Sequence, residues 1–75
     1  MYIVIEIQKN GDQVATLVNS YATKNEADSK FFAVLSAAAL STIERHACSL
    51  LTDEGRCLRS EYYDHITEIE SEEEA

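Results

Sequence analysis

Hydrophobic and polar positions alternate along both ends of this 75-residue chain, and a helical rhythm separates the two alternating segments. YIVIEIQ (2–8) and QVATLVN (13–19) are rich in β-branched residues, which pack well on a pleated surface, and KNGD lies between them. The pair Asn10-Gly11 suits the type I′ turn that closes a two-residue hairpin. A turn centred there sets Ile7 opposite Val14, Ile5 opposite Thr16 and Ile3 opposite Val18, so that Ile3, Ile5, Ile7, Val14 and Val18 share one apolar face. The other face carries Tyr2, Val4, Glu6, Ala15 and Leu17. It is only half polar, so it too is expected to be partly covered.

Thr23-Lys24-Asn25-Glu26 fits a capping box, in which the Thr23 hydroxyl and the Glu26 carboxylate each satisfy a backbone N–H left over at a helix start. Helix formers then continue to about Ser41. Spacing puts Ala27, Phe31, Val34, Leu35 and Ala38 on one stripe that can pack against a sheet. Phe32, Ala33, Ala37 and Leu40 are left on the opposite side, and from Phe31 to Leu40 the chain has no charged residue and a single hydroxyl, Ser36. This helix has no polar face of the usual kind.

HACSLLT (46–52) and RCLRSEYY (56–63) flank Asp53-Glu54-Gly55. Glycine in third place predicts a three-residue type I turn with a G1 bulge. In that register Leu50 opposes Leu58 and Cys48 opposes Ser60, which places His46, Cys48, Leu50, Leu58 and Tyr62 on one face and Cys57 on the other. A Cys48–Cys57 disulfide is then ruled out by direction, and both thiols are expected to be free. The fold predicted is α+β, of ββαββ order: a four-stranded antiparallel sheet with one helix packed across one face. Residues 1–63 form one domain and residues 64–75 an acidic C-terminal tail.

The net charge of −8 is unevenly spread. Residues 64–75 hold six acids and no base, while the rest of the chain has eight acids against six bases. The body is nearly balanced, and its Lys and Arg residues are scattered instead of clustered, which argues against nucleic-acid binding. The N-terminus has no basic leader or unbroken apolar run, so neither a signal peptide nor a membrane span is expected, and a cytoplasmic location follows.

His46, Cys48, Cys57 and His65 are metal-ligand types, but His46-x-Cys48 is a strand spacing and Cys57 lies far from His65, unlike the tight pairs of zinc knuckles. No metal and no cofactor are expected. With only two glycines the chain has no phosphate cradle or nucleophile elbow, and no Cys-His or Ser-His-acid set is brought together by the pattern. The expectation is therefore a protein that is not an enzyme. A domain this small buries only roughly 60% of its unfolded surface and commonly needs a staple or a partner. Phe32, Ala33, Ala37 and Leu40 offer a close-packing seam, so a homodimer formed through the helix is predicted.

The segments IEIQ…QVATLVNSY, NEADSKFFAVLSAAALST and LLTDEGRCLRSE, covering most of residues 3–61, resemble a family of small proteins carried by phages and prophages of gut Firmicutes. That family has no assigned activity or catalytic residues. The resemblance implies a phage-associated accessory or structural protein inside the bacterial host cell, non-enzymatic and acting through self-association, with an unidentified host or phage protein as a further possible partner. The alternative is an anti-defence inhibitor that binds a host protein or sequesters a small nucleotide.

Overall fold

The computed structural model describes residues 1–65. Five elements follow one another: β1 (Tyr2–Asn10), β2 (Gln13–Tyr21), α1 (Lys24–Ala39), β3 (Arg45–Thr52) and β4 (Cys57–Asp64). The strands form one antiparallel sheet in the order β2-β1-β3-β4, with α1 across it, which is the ββαββ arrangement expected. Of the acidic segment, Asp64 is the last residue of β4 and residues 66–75 lie outside the described residues.

The first hairpin differs from expectation in its turn. Asn10 pairs with Gln13, so the central residues are Gly11 and Asp12 instead of Asn10 and Gly11. Gly11 has φ +59° and, among the described residues, none other than glycine has positive φ, which fits a type II′ turn, with glycine in first place, rather than type I′. The cause is tertiary. Asn10 Oδ1 accepts the Glu44 N–H at 3.1 Å, and the Glu44 carboxylate accepts the Gly11 N–H at 2.8 Å, which ties the end of β1 to the loop before β3. Ile5 therefore faces Val18 and Ile7 faces Thr16. Each pairing moves by two residues, so the predicted grouping of Ile3, Ile5, Ile7, Val14 and Val18 on one face is kept.

At the second hairpin the three-residue loop forms as read: Gly55, at φ +93°, donates its N–H to the Thr52 carbonyl, and Thr52 N–H meets the Arg56 carbonyl. Two residues further on, the register slips. Leu51 pairs with Cys57 but Leu50 pairs with Arg59, leaving Leu58 as the extra residue of a bulge. Everything beyond it is turned over relative to the prediction. Arg59, Glu61 and Tyr63, not Leu58 and Tyr62, share a face with Leu50, Cys48 and His46.

The helix begins as predicted, with Thr23 Oγ1 accepting the Glu26 N–H at 3.2 Å and Glu26 accepting the Thr23 N–H. Its buried stripe is Ala27, Phe31, Val34 and Ala38, with Leu35 half-buried. Ala27, Phe31 and Val34 form one core with Val4, Cys48 and Leu50, with Leu35, Tyr2 and Tyr21 at its margin. The helix thus covers the face of β1 that carries Tyr2, Val4, Glu6 and Gln8. The isoleucine face is turned away from it.

Candidate interaction surfaces

The most chemically suggestive cluster is partly buried. His46, on the helix side of β3, holds Glu6 of β1 at 2.5 Å between Nε2 and Oε2, and Gln8 donates to the same oxygen at 2.9 Å. A carboxylate only accepts, so Nε2 carries the hydrogen, and Nδ1 is buried without a hydrogen-bond partner among the described residues. Burial opposes the charge on Glu6, but the hydrogen bonds from Gln8 and His46 and the charges of His46 and Lys30 outweigh it and hold the carboxyl below its ordinary range. Cys48 is also buried, and burial followed by the Glu6 charge pushes its thiol up to about 11. A protonated, covered thiol is a poor nucleophile. Cys57 is free and exposed, on the other side of the bulge.

The helix residues predicted as an interface lie where the spacing put them, on the side of α1 away from the sheet. Ala33 and Ala37 are exposed, and Leu40, the C-cap residue, is 88% exposed. Phe32 is different. Its ring is 50% exposed, meets Phe31 edge-on, and lies beneath the Arg59 guanidinium at 5.2 Å. Arg59 also reaches Asp28 at 3.6 Å, so β4 straps the helix through a cation–π contact and an ion pair. Part of the predicted stripe is thus already covered by this chain's own side chains.

A wider apolar surface is found on the far side of the sheet. Reading across β2, β1, β3 and β4, its rows are Ser20, Ile3, Leu51 and Cys57; Val18, Ile5, Ser49 and Ser60; Thr16, Ile7, Ala47 and Tyr62. None of these side chains is charged. Charge flanks these rows at both ends: the Met1 amine beside Asp53 at one, and at the other Lys9 and Arg45 beside Val14 and Asp64, with Arg45 paired to Asp64 at 2.6 Å and its guanidinium over the Tyr62 ring at 5.7 Å. Val14, Val18 and Tyr62 are each about 60% exposed. An antiparallel sheet that turns one face to water normally makes it polar. The sequence pattern identified the isoleucines as one face. It did not identify that face as the uncovered one, nor did it place Ala47, Leu51 and Tyr62 beside them.

Between α1 and β4 runs an open groove of about 520 Å³, lined by Phe31, Phe32, Leu35, Arg59 and Tyr63 among others. Among the described residues no helix is long and apolar enough to cross a membrane. Comparison of the chain with protein-family models, curated proteins and solved structures finds no match to any of them.

Proposed function

We propose that this protein is a non-enzymatic accessory or structural protein that acts through self-association, in the bacterial cytoplasm and associated with a phage as the resemblance implies. The observation that carries this proposal is the uncovered apolar surface: twelve adjoining uncharged positions on the sheet, together with Leu40, Ala33 and Ala37 on the helix. Contiguous apolar surface on a small domain marks an interaction site more often than a solvated face. In keeping with this, His46 and Cys48 lie buried and their neighbour Glu6 is partly so. Sedimentation of the purified chain at tens of micromolar tests the proposal, with a dimer or larger assembly expected. A strict monomer at that concentration would remove it.

The second reading is the sequestration of a small nucleotide, as an anti-defence protein would do. The groove between α1 and β4 favours it through an aromatic wall that offers stacking to a base, with Arg59 exchanging Asp28 for phosphate and Glu61 in the same lining opposing the anion. Calorimetric titration with mono- and dinucleotides decides it: saturable binding lost in Arg59→Ala supports the reading, and no heat of binding eliminates it.

A further inference from the structure

Two surfaces of this chain are free to associate, the helix stripe and the open sheet face. We infer that two copies of this chain pack sheet against sheet through the open face of β2-β1-β3-β4, and that the helix stripe remains on the outside. The inference rests on self-association being the mode of action, and it names the surface.

A second copy is favoured by the relief of the face. Ile3, Ile5 and Ile7 form a ridge along β1, and Ser49 and Ala47 form low ground beside it on β3. A two-fold axis running along the strands between β1 and β3 keeps each residue in its row and lays β1 over β3 and β2 over β4. Ile5 then stands over Ser49 of the second copy, Ile7 over Ala47, Val18 over Ser60 and Tyr62 over Thr16. Large meets small at these four of the six overlaid positions, as interdigitating layers require, while in the remaining row Ile3 lies over Leu51 and Ser20 over Cys57. The charged row of Lys9, Arg45 and Asp64 falls at the rim, where water stays.

Area points the same way. Four strands about 4.8 Å apart, each contributing the six residues that three rows span at about 3.4 Å, give a footprint of roughly 400 Å² per copy. A layer of side chains exposes more than its projection, so a pair buries on the order of 1,000 Å² in all, at the small end of specific interfaces. The helix stripe is only about 12 Å long at 1.5 Å per residue.

Val18 and Tyr62 sit on opposite edge strands and are exposed in the single chain, so charges placed there test the face without opening the core. In sedimentation equilibrium the wild type is expected to be a dimer at tens of micromolar. Val18→Lys, checked for folding by amide dispersion, should weaken association at least about a hundredfold, since it forces an unpaired charge into the interface, and Tyr62→Glu, which replaces the ring over Thr16 by a carboxylate beside Arg45, should weaken it to a smaller extent. Leu40→Glu should leave it unchanged. A contact on the unmutated chain gives an independent readout. Thr16 and Tyr62 lie on the two outer strands, about 14 Å apart at three strand spacings, so a nuclear Overhauser effect between the Thr16 methyl and the Tyr62 ring can arise only between copies. Its presence in a mixed-label sample supports the inference, and its absence from a saturated dimer overturns it. Dissociation by Val18→Lys alone would mean pairing along the β2 edge and overturn it too. Loss of the dimer only in Leu40→Glu would move the seam to the helix, overturning this inference while sparing the proposed function. A wild-type monomer defeats both.

Discussion

At the scale of single residues, the polar contacts beneath the helix set the pH response. The carboxyl of Glu6 ionises more readily in the folded protein than at its ordinary value of 4.5. A group of this kind contributes stability that is fully present above its unfolded pKa and is lost as pH falls through the lower folded one. Replacing Glu6 by Gln keeps an oxygen for His46 but removes the charge. Urea denaturation should show Glu6→Gln to be less stable than wild type at pH 7, and the gap should close as the pH is taken well below 4.5. A gap independent of pH would mean that the carboxylate matters only as a hydrogen-bond acceptor. The cysteines give a second prediction at this scale. Cys48 is buried with its thiol raised to about 11, while Cys57 is exposed. Mass spectrometry after brief iodoacetamide treatment at pH 8 should find label on Cys57 only, with Cys48 modified after unfolding. Equal labelling of the two would contradict the packing of Cys48 against the helix.

At the scale of elements, the sequence could be read most closely where local chemistry decides. The capping box at Thr23 and Glu26 is such a place, since its hydrogen bonds join residues three apart. Thr23 is exposed, so Thr23→Ala removes the cap and little else. The variant should lose about 1 kcal/mol and melt roughly 4–8 °C lower, and Thr23→Ser should recover most of it. An unchanged melting temperature would mean that packing alone holds the first turn. Where distant groups decide, the pattern is silent. The first turn shifted because Glu44 grips Asn10 and Gly11 from 33 residues or more away. The faces survived only because a shift by two preserves alternation. The bulge at Leu58 carries no glycine or other local marker, and its single extra residue reversed every later side chain of β4. The side of the sheet taken by the helix was equally hidden. β2 and β3 both run antiparallel to β1 and so parallel to each other, which makes α1 a crossover passing over β1. Crossovers of this kind are right-handed in about 98% of cases. Chain handedness therefore governs which face is covered, however apolar the other one is, and the isoleucines of β1 were left outside.

At the scale of the whole molecule, an uncovered apolar sheet face ties folding to concentration. If two chains bury that face together, the folded dimer is in equilibrium with two unfolded chains, and mass action raises the melting temperature as protein is added. The size of the effect follows from general values. Unfolding absorbs about 0.7 kcal/mol per residue near 60 °C, hence on the order of 105 kcal/mol for a pair of such chains. A tenfold rise in concentration, worth about 1.4 kcal/mol per dimer, should then raise the midpoint by about 4–5 °C. A monomer would show no rise. Charge sharpens the test. Each copy brings a net −8, so association works against like-charge repulsion, and added salt should strengthen the dimer by screening it. An interface built on opposite charges would weaken instead. Differential scanning calorimetry from 5 to 500 μM, repeated at low and high salt, should show the concentration slope in wild type and Leu40→Glu and none in Val18→Lys. A wild-type midpoint that stays constant across that range would leave the isoleucine face exposed to water in the working protein, with no second layer to account for its lack of charge.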